Sequence, residues 1–226
     1  MNRRHKDFQS SALPSELPRH RVIYYPKTAA LSRPCARLSF TLPLCYNIYN
    51  TIEGIKKKVE EVYYASCASP VGTIWVASDK DGVCLVSFGG KEEEFRKEMA
   101  RALFCQARPD REFNREVLGE IEAYFAGTLI SFSTPLHLQG PSFDMQVWQA
   151  LQRIPLGETR SYEEIACAIG NPRACRAVGG ANKRNPIPLF IPCHRVIRKD
   201  GGLGGFASGT AIKRWLLQFE QQVARS

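Results

Sequence analysis

Acidic residues are missing from one long stretch of this 226-residue chain: between Asn171 and Lys199 there are seven Lys/Arg and no Asp or Glu. That absence excludes a neutral, ion-paired surface for the segment and leaves an anion-attracting one. Paired cysteines are also lacking. The eight cysteines (Cys35, Cys45, Cys67, Cys84, Cys105, Cys167, Cys175 and Cys193) contain no C-x-x-C, and several sit inside apolar runs as small fillers. This is the usage of a reducing compartment, not of a disulfide framework. The four histidines, His5, His20, His137 and His194, are too scattered for a zinc-ligand spacing, so no metal is expected. No apolar run approaches the about 18 residues of a membrane span, and the N-terminus has no signal-peptide core. A soluble, intracellular protein that does not engage a membrane is expected.

The charge that is present, +9 in total, is uneven. Residues 1–60 carry 11 basic and 4 acidic side chains, 61–140 carry 8 and 12, and 141–226 carry 12 and 6. A basic C-terminal third beside an acidic middle suits a polyanion-binding module on a neutral scaffold; a merely soluble basic surface is the alternative. Residues 1–58, with scattered prolines and Lys56-Lys57-Lys58, read as a poorly patterned basic extension, either a nucleic-acid arm or targeting segment or an inert tail. Residues 59–139 read as a small supporting α+β domain and 140–226 as a helical one.

Order is expected from Tyr63. Ser69-Pro70-Val71-Gly72 is a turn, Thr73–Ser78 and Val83–Phe88 form a hairpin around Asp79-Lys80-Asp81-Gly82, and Lys91–Phe104 and Asn114–Phe125 are helices. Leu129–Leu138 is expected as a further strand. Beyond Pro141, Phe143, Val147, Leu151 and Ile154 make a helical apolar stripe. Ser161-Tyr162-Glu163-Glu164 opens a short helix with a capping box, Asn171-Pro172 turns the chain, and Arg173–Lys183 forms another helix. Two short helices with a tight turn and a basic second member follow helix-turn-helix grammar. The second helix is nearly free of bulk: Ala174, Cys175, Ala177, Gly179, Gly180 and Ala181. Its glycines each cost about 1 kcal/mol against alanine. Either it packs closely on another helix, or it presses against a narrow nucleic-acid surface with Arg176 as its one long probe, flanked by Arg173, Lys183 and Arg184.

The apolar run Pro188-Leu189-Phe190-Ile191 is expected as a buried strand leading into Pro192-Cys193-His194-Arg195-Val196. A thiol beside a potential base in a basic stretch is a candidate nucleophile, since the thiolate is the reactive form. Taken singly, His194, Glu220 and Tyr162 are ordinary structural residues, and the Gly201–Gly209 run is a weak imitation of a phosphate loop without its Lys-Ser/Thr.

Taken together, S-Y-E-E-I-A, G-N-P-R-A-x-R-A-V-G-G-A-x-x-x-N-P, I-P-C-H-R-V-I, G-G-L-G-G-F-x-S-G and K-R-W-L-L-x-x-E resemble the O6-alkylguanine-DNA alkyltransferases. The resemblance runs from about Phe143 to Glu220, more weakly from Tyr63, and does not reach residues 1–58. It implies an α+β architecture: a ribonuclease-H-like N-terminal domain and a winged-helix-like C-terminal domain carrying the helix-turn-helix. It implies direct-reversal repair, with the alkyl group of O6-methylguanine, and less so O4-methylthymine, moving irreversibly to Cys193. The partner would be double-stranded DNA, the cofactor none, the protein a monomer, and the location bacterial cytoplasm or nucleus. Cys193, His194 and Glu220 match a cysteine–water–histidine–glutamate relay, Asn185 a hinge, and Tyr162 the hydroxyl that helps guanine leave. Arg176 matches the arginine filling the vacated stack. Ala174, Cys175, Ala177, Gly179, Asn171, Lys183 and Lys199 would meet DNA, while Val196, Asn182, Phe206, Ala207 and Lys213 would line the base pocket with Tyr162.

Several positions depart from the family pattern. Phe206 stands where tyrosine is common, Ala207 and Ser208 where serine–glycine occurs, Asn182 where some members carry a methionine packed on guanine, and Cys175 replaces alanine. The zinc ligands that some members carry near the N-terminus are not recognisable. Two other functions compete. A non-catalytic lesion binder would lack the acceptor cysteine, which is present. A cysteine hydrolase would need an oxyanion element, and neighbouring strand residues such as Cys193 and His194 would face apart.

Overall fold

The structure, a computed structural model, describes residues 61–103 and 107–225. The expected extension over 1–58 lies outside them, as does Phe104. Chain order is β1 (Val62–Ser69), β2 (Gly72–Asp79), β3 (Gly82–Phe88), α1 (Glu92–Leu103), β4 (Ala107–Pro109), α2 (Arg115–Phe125), α3 (Ser142–Leu151), β5 (Arg160–Ser161), α4 (Tyr162–Ala168), α5 (Cys175–Lys183), a 3-10 turn (Cys193–Arg195), β6 (Val196–Ile197) and α6 (Thr210–Val223).

β1 to β3 pair antiparallel and β4 adds parallel to β1, giving the order β3-β2-β1-β4, and buried residues run consecutively through Val76–Asp79 and Val83–Val86 because both faces of the sheet are covered. The expected hairpin is present, and β1 precedes it. Period-2 alternation gives the sheet two apolar faces. Val62, Tyr64, Ala77 and Leu85 meet Phe95 and Met99 of α1. Ala65, Cys67, Ile74, Val76 and Val86 meet Val117, Leu118, Ile121 and Tyr124 of α2, in a core continuous with the C-terminal helices.

The strand expected over Leu129–Leu138 is not formed. One parallel bridge, Val83 to Leu136, is all the pairing there, with Val83 N donating to Pro135 O at 2.9 Å. Gly82 explains how close this segment lies, because a Cβ there would sit 2.3 Å from Pro135 O. Glu120 holds the same segment through hydrogen bonds from the backbone and hydroxyls of Ser133 and Thr134.

In the C-terminal half, α3 buries Met145, Val147, Trp148 and Leu151, and the Trp148 indole donates to Ala181 O at 3.0 Å. The capping box is complete. Ser161 accepts from Glu164 N, and the Glu164 carboxylate accepts from Ser161 N. The helix expected from Arg173 starts two residues later, at Cys175. Its inner side buries Val178 and Ala181, while Arg176 and Ala177 are exposed.

Candidate active site

Short parallel pairing assembles the site. Arg160 pairs with Val196 and Ser161 with Ile197. Tyr162 immediately follows one strand and Cys193-His194-Arg195 immediately precedes the other, so this two-residue ladder brings them together. The expected strand into Cys193 is absent. Pro188 and Ile191 bridge each other, Leu189 takes φ 82°, and Cys193–Arg195 form a 3-10 turn. Two prolines within five residues cannot donate to a ladder, and burial of the run is achieved by a folded-back loop instead. The turn also removes the objection that Cys193 and His194 would point to opposite sheet faces.

Asn185, just past α5, holds the sulfur. Its Nδ2 donates to Cys193 Sγ at 3.2 Å and to Ile191 O at 2.8 Å, while its Oδ1 accepts from Ile187 N at 3.0 Å. Cys193 is 6% exposed. Burial pushes its thiol up to about 11, against the downward pull of Asn185 and the Lys213 charge. A thiol ionised at rest, as its basic sequence neighbourhood suggests, is therefore not found: most of those cations lie outside the desolvated pocket.

Behind the sulfur sits a charged cluster. His194 Nε2 lies 2.8 Å from Glu220 Oε1, and His194 Nδ1 is buried with no protein partner. Burial lowers the imidazole pKa and Glu220 raises it, with burial prevailing, so the ring rests neutral and able to take a proton. Glu220 is itself held from several sides. Arg195 donates through Nε at 2.9 Å and Nη2 at 2.8 Å, Tyr124 through its hydroxyl at 2.7 Å, and Gly157 N at 3.3 Å. Burial alone would raise its carboxyl, but the hydrogen bonds and charges of His194 and Arg195 hold it well below the usual carboxylate range.

Lys213 lies one helical face along α6, where Lys213, Leu216, Leu217 and Glu220 form the buried stripe. Its Nζ donates to Val196 O at 2.5 Å and Gly205 O at 3.3 Å. Burial lowers it to about 8. Arg195 and Tyr124 were not singled out from the sequence. Within the cysteine motif the arginine has the form of one more cation of the basic stretch, and nothing local to Tyr124 marks it as a donor to a residue 96 positions on. A stronger signal was Lys213 and Glu220 at core positions of an otherwise amphipathic helix.

Tyr162 is half-buried. Burial and then Cys193 raise its pKa, so the hydroxyl keeps its proton. Gly204 (φ 66°) lets the following loop close on it, since a Cβ would lie 2.8 Å from the hydroxyl. Phe206 on this loop is half-buried, edge-on to His194 at 6.4 Å and to Phe88 of the sheet at 6.1 Å. Ala207 is exposed and Val196 buried.

Of the expected DNA-facing residues, Asn171, Arg176, Ala177 and Lys183 are exposed; Ala174, Cys175 and Gly179 are partly buried. Lys199 is exposed and ion-paired with Glu163 at 2.7 Å. Arg184, counted in the basic flank, instead grips buried Asp144 through Nε and Nη2 at 2.7 and 2.8 Å, tying α5 to α3. A cavity of about 200 Å³ opens behind the cysteine turn, lined by Phe132, Pro155, Leu189, Phe190 and Arg195 among others. Neither Cys193 nor Tyr162 lines it, so it is not the base pocket.

One unexpected donor set lies away from the site. Asp79, Cys84 and His137 place ligand-type atoms within 4.8 Å of one another, which sequence spacing did not foretell. Three donors fall short of a closed tetrahedral site. Both Asp79 oxygens are engaged, Oδ1 by Asp81 N and Gly82 N and Oδ2 by His137 Nδ1 at 2.5 Å. The arrangement serves as a clasp between the hairpin and the 129–138 segment.

The site thus belongs to a helix-turn-helix protein that keeps a buried cysteine, a histidine–glutamate pair and a tyrosine beneath its second helix. Sequence models of known families agree: residues 62–138 match the 6-O-methylguanine DNA methyltransferase ribonuclease-like domain and 142–222 its DNA binding domain. A methylated-DNA–protein-cysteine methyltransferase of Methanosarcina acetivorans is 48% identical over 161 residues, 70% of this chain and 98% of the relative. The constitutive enzyme of Bacillus subtilis is 42% identical, over 70% and 95%. The Mycobacterium tuberculosis protein solved in complex with DNA superposes with a TM-score of 0.63 at 39% identity, covering 71% of this chain and 94% of that one. The chain belongs to the 6-O-methylguanine DNA methyltransferase family.

Proposed function

We propose that the chain repairs alkylated DNA directly, taking the alkyl group from O6-methylguanine in a duplex onto Cys193, once per molecule. The observation that carries this reading is the placement of Cys193 Sγ: 3.2 Å from the amide of Asn185 at the end of α5, with neutral His194 and Lys213 behind it. The base, everted from the stack, enters between Tyr162 and the Cys193 turn, which requires the Gly201–Gly209 loop to yield. Arg176, exposed on α5, fills the stack; unstacking costs a few kcal/mol.

Transfer is a displacement at the alkyl carbon. The S–C bond forms as the C–O6 bond breaks; O6 becomes the guanine carbonyl. The thiol proton leaves toward His194 Nδ1 through a bridging water, and guanine gains one proton overall, with Tyr162 donating to the departing base. Glu220 fixes the histidine tautomer and stabilises the imidazolium. Because Arg195 already compensates Glu220, the relay does not ionise the thiol at rest. Ionisation instead accompanies the reaction. The thioether product has no resolving thiol in the motif and is a poor leaving group, so each molecule acts once.

Incubation with duplex carrying O6-methylguanine should add one methyl to the intact mass, localised to the Cys193 peptide. A protein that stays unmodified, or a Cys193→Ser variant that still clears the lesion, rejects the proposal. Arg176→Ala should slow repair of duplex far more than reaction with free O6-benzylguanine. Equal losses would remove its stack-filling role.

A further inference from the structure

The end of α5 is gripped by α3 at two points. Arg184, the C-cap residue of α5, binds Asp144 in the first turn of α3 through Nε at 2.7 Å and Nη2 at 2.8 Å. Trp148, one turn further along α3, donates its indole to Ala181 O in the last turn of α5 at 3.0 Å. Asp144 is 1% exposed while the Arg184 side chain is 57% exposed, so a carboxylate has been taken out of water to meet an arginine that has not. Gly180 makes room for this, because a Cβ there would come within 3.2 Å of Arg184 Nη1. Glycine inside a helix costs stability against alanine, and here that cost serves the guanidinium.

Stability alone does not account for such a pair. A buried ion pair is often no more stabilising than apolar packing of the same volume, and the best-attested reason to keep one is to fix register. Asn185, the next residue, shows which register is fixed. It donates to Cys193 Sγ at 3.2 Å and to Ile191 O at 2.8 Å, and accepts from Ile187 N at 3.0 Å. α3 also lies against the Cys193–Arg195 turn. One helix therefore sets both sides of the bond, the end of α5 that carries the amide and the turn that carries the sulfur. We propose that Asp144 and Arg184 are positioning residues for alkyl transfer, fixing the end of α5 so that the Asn185 amide meets the acceptor sulfur. This rests on the alkyl-transfer reading above. The pair acts through Asn185, whose hydrogen bond favours thiolate over thiol. The other titratable groups around the sulfur, Lys213 on α6, Tyr162 on α4 and His194 in the turn, approach it from other elements. A change confined to the pair thus registers at Cys193 through Asn185.

The test is the double variant Asp144→Leu/Arg184→Met, which replaces both charges by apolar side chains and leaves the net charge unchanged. The single-turnover rate at saturating O6-methylguanine duplex should fall about tenfold, the size of one net hydrogen bond. The duplex concentration giving half-maximal rate should not move, because the net charge facing the phosphates is the same. The pH profile of Cys193 alkylation by iodoacetamide should shift to higher pH, as it should in Asn185→Ala, and adding Asn185→Ala to the double variant should shift it no further. A pair that served stability alone would leave that profile in place. Asp144→Asn, which keeps one acceptor for the guanidinium, should show the same changes in smaller measure and takes the place of the double variant if that protein does not fold. Wild-type rate and thiol profile in the variants, or a shift that adds in full to that of Asn185→Ala, overturn the inference. Wild type that takes no methyl group from the duplex overturns the alkyl-transfer reading instead, and the iodoacetamide profiles still decide the role of the pair.

Discussion

In the N-terminal sheet domain, buried Asp79 and half-buried Glu120 hold loops: Asp79 caps its hairpin turn and pairs with His137, and Glu120 gathers Ser133 and Thr134. In the C-terminal half, the buried charges converge on one another. His194, Arg195, Lys213 and Glu220 lie within a few residues of the acceptor cysteine or of its supporting helix, and nearly all are shut from solvent. The first arrangement keeps ionic groups near the surface of local turns, where each has a backbone partner. The second desolvates several at once, and such clusters are often no more stable than apolar packing of the same volume. The difference teaches that the sheet domain's polar groups serve shape, whereas those around Cys193 are retained for proton movement. Tyr124 is the exception that links them, because a helix of the sheet domain supplies a hydroxyl to Glu220.

Glu220→Gln tests the contrast most severely. It leaves the Arg195 guanidinium buried against a neutral amide and removes the charge that steadies His194. A loss of about 3–5 kcal/mol is expected by urea denaturation, together with slowed methyl transfer. A stability loss no larger than that of a turn carboxylate would break the distinction between the halves.

Tyr124→Phe comes next, because it deletes one neutral donor to a charged acceptor and leaves the packing of the ring. The expected loss is about 1.5–3 kcal/mol. If transfer also slows at fixed lesion concentration, the sheet domain contributes to the relay. An unchanged rate would leave Tyr124 as an anchor for α6 only.

Tyr124 also marks the limit of what the sequence reveals, whereas Glu220 is reached only through the joint motifs. The hairpin, the helices and the capping box were legible because each is decided by neighbours within a few residues: Asp79-Lys80-Asp81-Gly82 turns the chain, and Ser161 and Glu164 close on each other. The joint motifs made Cys193 and Asn185 legible, and the structure does bring these two together at hydrogen-bond distance. The Arg195–Glu220–Tyr124 cluster spans residues 124 to 220 and has no local trace. The apolar run Pro188–Ile191 looked like a strand because burial alone does not distinguish a buried strand from a buried loop. Leu189 at positive φ settles it as a loop.

Lys213→Met gives a smaller but sign-specific effect. Lys213 is lowered to about 8, so its proton is disfavoured in the folded state, and the penalty is relieved as pH rises past that value toward the ordinary lysine pKa of about 10.4. Cys193 is raised to about 11 and works oppositely. Its contribution is fully present below the ordinary thiol pKa of about 8.5 and lost as pH rises through the folded value. In the wild type the two trends offset. In the variant only the second remains, so stability from urea titrations should fall steadily between about pH 8.5 and 11. The rate of Cys193 alkylation by iodoacetamide, followed by peptide mass, should also shift to higher pH, because the cation that favours the thiolate is gone. A profile superimposable on wild type would mean that Lys213 holds Val196 and Gly205 without influencing the sulfur.

Asp79→Asn should have the smallest effect, and it sharpens the comparison from the other side. The amide oxygen still accepts from Asp81 and Gly82, so the weakened bonds are those of the carboxylate to His137 and Cys84. About 1 kcal/mol of stability is expected to go, with no change in the rate of methyl transfer. Burial would raise the Asp79 carboxyl, but His137 and the turn amides outweigh it and lower it. The stability it contributes is therefore present above the ordinary carboxylate pKa of about 3.9 and lost as pH falls through the lower folded value. The variant should lack that acid-dependent loss. A slowed transfer in this variant would mean that the clasp on the 129–138 segment reaches the cysteine turn, through Phe132 and its contact with Phe190 at 4.1 Å, and the sheet domain would then be part of the reaction machinery at two points instead of one.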